Sequence, residues 1–301
     1  MMPEAETCRS GWIAIIGRPN VGKSTLLNRL VGQKLAITSA KAQTTRHTIV
    51  GIKTWSGGQM VFVDTPGIHE RGSNALNRYL NRAALTTISE VDLVLLVVEA
   101  GRWTGEDDKA LQAIQAAGTP AIAVINKIDR IRDKAQLLPF IERLAARYAF
   151  RELIPVSAAR GDQLDRLDAL LRQALPERPL LFPEEQITDR PERFFAAELV
   201  REQLMRRYGD ELPYQAAVEI EHFEDLGGRY RIHALIWVER PGQKAIIIGE
   251  RGEALKAAAT EARQQMQRLF ECPVHLEVWV KVRKSWSGDD AALSSLGYRE
   301  R

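Results

Sequence analysis

Over the first 175 residues, short uninterrupted apolar runs alternate with amphipathic stretches, the pattern of parallel strands buried on both faces and the helices that cover them. The run at 12–16 ends in a glycine-rich segment, after which Leu26, Leu27 and Leu30 recur at helical spacing, predicting strand, loop and helix in that order. Residues 49–55 and 59–63 flank Ser56-Gly57-Gly58, whose glycines admit the positive φ of a tight hairpin. Further on, 91–98, 121–125 and 153–156 read as buried strands between helical patterns at 107–117, 134–148 and 163–174. This alternation predicts a doubly wound α/β domain over residues 1–175.

Pro176, Pro179 and Pro183 interrupt the pattern, since proline lacks a backbone donor and restricts the residue before it; a linker is expected at 176–190. Beyond it the spacing predicts a helix at 191–208, strands at 214–223 and 229–239 around Gly227-Gly228, and a strand at 245–248. Gly249-Glu250-Arg251-Gly252 follows, then a helix at 253–270 and an alternating strand at 274–282. If a short helix precedes the GxxG turn, the order is α-β-β-α-α-β, a smaller α+β domain over 191–301 that includes a C-terminal tail. No internal repeat or low-complexity tract occurs.

Composition narrows the class. The 301 residues are 45% hydrophobic and 27% charged, enough for two cores under a wet surface. A net charge of +3 is too small to argue globally for a polyanion, so any nucleic-acid site must be argued from position. Cys8 and Cys272 are far apart and have no CxxC or histidine spacing, which excludes a disulfide framework or zinc site and suggests a reducing, cytoplasmic setting. The apolar run at 93–98 is far too short to span a bilayer, and the first ten residues carry no apolar block, so neither secretion nor membrane insertion is expected.

The loop Gly17-Arg18-Pro19-Asn20-Val21-Gly22-Lys23-Ser24, with Thr25 after it, is a GxxxxGKS phosphate loop. Its amides and the following helix N-terminus make an anion cradle in which Lys23 reaches the β and γ phosphates and the Ser24 hydroxyl ligates Mg²⁺. Asp64-Thr65-Pro66-Gly67 ends a predicted strand, placing Asp64 as a second Mg²⁺ contact through water and the Gly67 amide at the γ-phosphate. Asn126-Lys127-Ile128-Asp129 supplies a base reader: one carboxylate accepts both the N1–H and the amine of guanine, so Asp129 sets specificity. Asn126 supports the opposite edge and the loop, and the Lys127 stem lies along the base. Such a polar site discriminates by about 10⁴-fold or more. A backbone donor to the guanine oxygen is expected from Ser157-Ala158-Ala159. Within the long segment 34–48, Thr45, or in second place Thr44, is expected to complete the Mg²⁺ shell when the γ-phosphate is present. Together these motifs predict binding and hydrolysis of GTP. Ile68 stands where a glutamine could orient the attacking water, so catalysis is assigned to charge stabilisation by Lys23, Mg²⁺, Thr45 and the Gly67 amide, and a slow intrinsic rate is expected; His69 is read as solvated.

The GxxG turn between an apolar segment and a helix, with Lys244, Arg251 and Lys256 around it, looks like the nucleic-acid clamp of a KH domain. Taken with the phosphate loop, Lys41-Ala42-Gln43-Thr44-Thr45-Arg46-His47, Asp64-Thr65-Pro66-Gly67-Ile68, the base reader, Ile187-Thr188-Asp189-Arg190, Glu211-Leu212-Pro213-Tyr214 and the 273–282 strand, the chain resembles the bacterial Era family from about Trp12 to Tyr298. The resemblance implies a phosphate-loop GTPase domain followed by a type II KH domain. It implies binding to the 3′ end of 16S ribosomal RNA, help in assembling the 30S subunit, and peripheral contact with the inner face of the membrane; no obligate protein partner is evident. It also implies a K⁺ ion that assists hydrolysis, with Asn20 as candidate ligand. Gly249, Glu250, Arg251 and Gly252 would carry the RNA clamp, although Glu250 departs from the uncharged or basic residues common there and either weakens phosphate contact or turns to solvent. Lys281, Arg283, Lys284 and Trp286 either extend the RNA surface or form a solvated strand end with a packed tryptophan. A competing reading makes the C-terminal domain a protein- or membrane-docking module.

Overall fold

The computed structural model describes residues 8–39, 41, 44–67, 75–209, 212–284 and 286, with the backbone alone at 75–78. Tertiary contacts divide the chain into a first unit of Met1–Ala36, Thr45–Arg71 and Leu80–Asp189, and a second of Ile37–Thr44, Gly72–Tyr79 and Arg190–Arg301.

The first unit begins with β1 (Arg9–Ile16), α1 (Lys23–Val31), β2 (Ile49–Trp55) and β3 (Gly58–Asp64). It continues through α2 (Ala75–Ser89), β4 (Leu93–Glu99), α3 (Gly105–Ala117), β5 (Ala121–Asn126), α4 (Leu137–Ala145), β6 (Glu152–Pro155) and α5 (Leu164–Ala174). The sheet order is β2-β3-β1-β4-β5-β6, and every pairing is parallel except β2 with β3. Its central strands carry near-continuous apolar runs because both faces are covered, with polar residues confined mostly to their ends, and on one side Leu111, Ile114, Phe140 and Leu144 pack against them. Since β1 lies between β3 and β4, the chain leaves its carboxyl end at the point where strand order reverses, the crevice in which open α/β sheets bind ligands.

The predicted strands and hairpin stand within a residue or two of their expected bounds, except that β1 opens at Arg9, three residues before the apolar run expected to begin it. The helix expected at 134–148 starts with a 3₁₀ turn, Lys134–Gln136, capped by Asp133 onto the Ala135 amide at 3.0 Å, and α4 proper is shorter. Helix α2 was not expected at all. Residues 176–189, expected as a linker, run along the first unit: buried Gln59 accepts the Leu181 and Phe182 amides at 2.9 Å each and donates to the Phe182 carbonyl at 3.0 Å. The Ile52 amide donates to the Ile187 carbonyl and the Thr188 hydroxyl to the Val50 carbonyl, both at 2.7 Å, which closes the exposed edge of β2.

The second unit carries α6 (Glu192–Arg207), β7 (Ala216–Asp225), β8 (Tyr230–Val238), α7 (Pro241–Ile248), α8 (Glu253–Phe270) and β9 (Val274–Val282). Strand β8 pairs antiparallel with β7 and parallel with β9. Val274, Leu276, Val278, Val280 and Val282 join Leu199, Leu204, Ile247, Ala262 and Met266 in the core, while His275, Glu277, Trp279 and Lys281 alternate onto the other face. The strand expected at 245–248 is instead the end of α7. Pro241 takes the first helical position, and the Gln243 side-chain oxygen accepts the Glu239 and Arg240 amides at 2.9 Å each, a helix start that three consecutive isoleucines had disguised as a strand. Only Ile247 of the three is fully buried, while Ile246 is exposed, as on one face of a helix.

Candidate functional site

The loop that leaves β1 delivers the chain to Lys23, the first residue of α1, so the amides of that first turn lack intrahelical acceptors. Gly22 holds φ 101°, and a Cβ there would stand 2.4 Å from Asn126 Nδ2. Lys23 is buried, and its ammonium donates to the Gly17 and Arg18 carbonyls at 3.0 Å each. Burial lowers its pKa to about 8, against the pull of the Asp64 charge. Val21 is fully buried, with its carbonyl taken by Asn126; Asn20, at φ 64°, is exposed, while Pro19 and Thr25 are half-buried. The Arg18 side chain is turned to Glu99 and Asp107, so Arg18 enters the cradle by its main chain.

Asp64, fully buried at the end of β3, accepts the Ser24 hydroxyl at 2.8 Å and the Thr45 hydroxyl at 3.3 Å on one oxygen, and those two hydroxyls are 2.9 Å apart. Its other oxygen is buried with no hydrogen-bond partner among the described residues. Burial raises the Asp64 pKa to about 6, against Lys23 and the two hydroxyls. One carboxylate with an unpaired oxygen and two hydroxyls is a hard-oxygen donor set that suits Mg²⁺. The Thr44 hydroxyl instead donates to the Lys41 carbonyl at 2.6 Å, so of the two threonines only Thr45 joins this cluster. The Thr65 hydroxyl is tied to the Ile15 carbonyl at 3.1 Å, with Pro66 and Gly67 buried beside it. Ala42, Gln43, Ile68 and His69 lie outside the described residues.

At the end of β5, Asn126 does something the motif alone did not reveal. Its Nδ2 donates to the Val21 carbonyl at 2.8 Å and its Oδ1 accepts the Ala158 amide at 3.0 Å, lacing the phosphate loop to the 157–159 loop. The Ala158 amide, expected among the donors to guanine, is therefore committed to Asn126; the Ala159 carbonyl accepts from Arg29 at 2.9 Å. Asp129 is held by the Ser157 hydroxyl at 2.6 Å, and that bond keeps its carboxyl below the usual range. Lys127, in the left-handed region at φ 67°, donates to Glu99 at 3.1 Å. Glu99 and Asp107 are the residues the sequence reading missed. A charge closing the apolar run of β4 at the ligand-binding edge, and Thr104-x-x-Asp107 opening a helix, were the signals available.

In the second unit, the GxxG turn joins two helices. Gly249 takes φ 71° and ψ −178°, a region open only to glycine, and a Cβ there would meet the Ala254 Cβ at 2.5 Å; around Gly252, at φ 82°, a Cβ finds nothing within 4 Å. Arg251 sits at φ 50°, and it, Glu250 and Lys256 are exposed, with half-buried Lys244 on α7. Lys281 is not brought to this turn. It lies on the sheet face away from the helices, paired with Glu221 at 3.2 Å and 5.9 Å over the Trp237 ring. Exposed Lys284 and half-buried Arg283 follow the end of β9, and the Arg283 amide extends the ladder to the Val238 carbonyl at 2.8 Å. Trp286 is fully buried and donates to the Gln215 carbonyl at 3.1 Å, which decides for the packed tryptophan and against an RNA-facing one.

Residues 12–127 match the family of 50S ribosome-binding GTPases, and residues 211–287 match the KH domain. A GTPase Era from Azotobacter vinelandii is 53% identical, covering 99% of this chain and all of that protein; one from Pseudomonas aeruginosa is 54% identical over 96% of this chain and 95% of its own. Among solved structures, an Era variant of Aquifex aeolicus bound to GDP·AlF₄⁻ superposes with a TM-score of 0.94 at 38% identity, covering 97% of this chain and 100% of that one. Another Era, in complex with MgGDPNP and nucleotides 1506–1542 of 16S ribosomal RNA, superposes equally well over the same shares. The order of motifs, the two units and the full-length relatives agree: the chain belongs to the Era family of GTPases.

Proposed function

We propose that the chain is a GTP-driven RNA-binding switch that holds a guanine nucleotide with Mg²⁺ in its first unit and the 3′ end of 16S ribosomal RNA on its second, in the service of 30S subunit assembly. The observation that carries this reading is the fold shared along 97% of the chain with the Era solved with MgGDPNP and that RNA segment. The oxygen cluster of Ser24, Thr45 and Asp64 supports it: these residues would hold Mg²⁺, which neutralises phosphate charge when bound. Lys23 holds an ammonium beside the cradle, the loop amides and the α1 N-terminus receive the phosphates, and Asp129 accepts the two guanine donors. Exposed Asn20 is the residue offered to K⁺, which a comparison of hydrolysis in KCl and NaCl tests. Gly249 to Gly252, with Lys244, Arg251 and Lys256, form the RNA clamp. Among the described residues no helix is long and apolar enough to cross a membrane, so membrane contact in this reading is peripheral.

The test is binding of labelled RNA carrying the 16S 3′ end, with GTP analogue, GDP or no nucleotide, at two salt concentrations. The cleaner clamp variant is Gly252→Asp, since it puts a negative charge in the turn without a packing clash. Nucleotide-dependent, salt-sensitive binding that Gly252→Asp abolishes is the expected result. No binding in any nucleotide state would leave the second unit as a docking module for a protein or membrane.

A further inference from the structure

The end of β4 carries a charge that none of the nucleotide motifs includes. Glu99 divides its two carboxylate oxygens: one accepts Arg18 Nη2 of the phosphate loop at 2.7 Å, the other Lys127 Nζ of the base reader at 3.1 Å, with exposed Arg130 3.6 Å away. The Arg18 Nε reaches Asp107 at 3.2 Å, and the same Asp107 oxygen accepts the Thr104 amide and hydroxyl at 2.9 Å each, fixing the guanidinium to the start of α3. The network is sheltered, with side-chain exposures of 8% at Arg18, 18% at Glu99, 17% at Lys127 and none at Asp107. Burial pushes the Glu99 carboxyl up, but its bonds to Arg18 and Lys127 outweigh this and hold it below the usual range, so it stays ionised.

We propose that Glu99 is a positioning residue that ties the base-reading Lys127 to the phosphate loop through Arg18, so that the site grips and releases base and phosphates as one unit. Lys127 has a long flexible stem, and without an anchored head it loses the orientation that lets the stem lie along a base. Arg18 is likewise held at both ends of its guanidinium, and its backbone carries the carbonyl that accepts Lys23. One carboxylate therefore sets the register between two loops more than a hundred residues apart in sequence. This rests on the reading that a guanine nucleotide occupies the site.

The test is the release rate of fluorescently labelled GDP from the full chain, with KM and kcat for GTP measured alongside. Loss of a charged hydrogen bond on this scale predicts about tenfold faster release in Glu99→Gln, with KM rising more than kcat falls. A structural role would not produce the second signature. In the native background, Arg18→Met and Lys127→Met each break the same bridge, so their effects on release fall short of multiplying; in Glu99→Gln they act independently and multiply. A change below about twofold in Glu99→Gln, or full multiplication of the two substitutions in the native background, overturns the proposal. Should Glu99→Gln fail to fold by thermal melt, the native-background pair alone decides. Failure of the native chain to bind labelled GDP would overturn the guanine-site reading, and this proposal with it.

Discussion

A carboxylate sealed from water with one oxygen unpaired holds its proton longer than one in solvent, and Asp64 is such a group. Its pKa of about 6 in the fold, against 3.8 for the free group, means that the folded state binds the extra proton. The cost of ionisation is therefore absent below about pH 4, grows between about 4 and 6, and above that approaches about 3 kcal/mol. In buffer free of nucleotide and Mg²⁺, Asp64→Asn is expected to be more stable than the native chain at neutral pH, and its advantage should shrink as pH falls through 6. Urea midpoints across that range measure it; an advantage that does not change with pH would remove burial as the cause. Asp129 is the converse case. The Ser157 hydroxyl holds it ionised, ready to accept the two guanine donors of the proposed contact, and Asp129→Asn should switch preference towards xanthine nucleotides. Competition of GTP and XTP for the labelled-GDP site would show this, and unchanged GTP preference would refute the contact.

Among the elements, the turn between α7 and α8 is the least forgiving. Gly249→Ala forces a Cβ to within 2.5 Å of Ala254 in a backbone conformation reserved for glycine, and should cost on the order of 2–3 kcal/mol. Gly252→Ala meets no neighbour and should cost about 1 kcal/mol, which thermal melts of the two variants would separate. The same region shows where the sequence was readable. Helix α8 and strand β9 were legible to the residue because a long amphipathic pattern and a strict alternation each admit one period. Helix α7 was not, since four apolar residues in a row suit either period, and the deciding signal lay in Pro241 and Gln243 upstream. Helix α2 escaped for another reason: its buried stripe of Leu80, Ala84 and Ile88 is one residue per turn, diluted by asparagine and threonine, which favour turns and strands. In the site, every motif residue proposed to meet phosphate or base could be named from spacing. The partners that hold those residues, Glu99, Asp107 and the amide of Ala158, come from elements far apart in sequence that only the tertiary fold brings together; local signals marked where Glu99 and Asp107 stand but not what they hold.

At the scale of the molecule, each unit has a core of its own, centred on the β1-β4-β5 strands in one and on α6, α8 and the three-stranded sheet in the other. A ligand stabilises only the fold that binds it, so GDP at a hundred times its dissociation constant should add about 2.7 kcal/mol to the unfolding transition of the first unit. A calorimetric trace in which GDP raises the first-unit transition and leaves the second in place is the expected outcome; a rise of both by equal amounts would mean that the chain unfolds as one. A net charge of +3 gives little general attraction to polyanions, so affinity for unrelated RNA should stay well below that for the 16S 3′ end at both about 50 and about 200 mM salt, as filter binding at both ionic strengths would show. The tryptophans offer a label-free way to follow such experiments. Trp55 and Trp103 each lie under an arginine guanidinium, at 4.8 and 4.7 Å, whereas the Trp286 indole is wholly enclosed. An enclosed indole emits further to the blue than one facing water, so the short-wavelength edge of the protein's own fluorescence is an optical gauge of whether the end of the second unit is still packed.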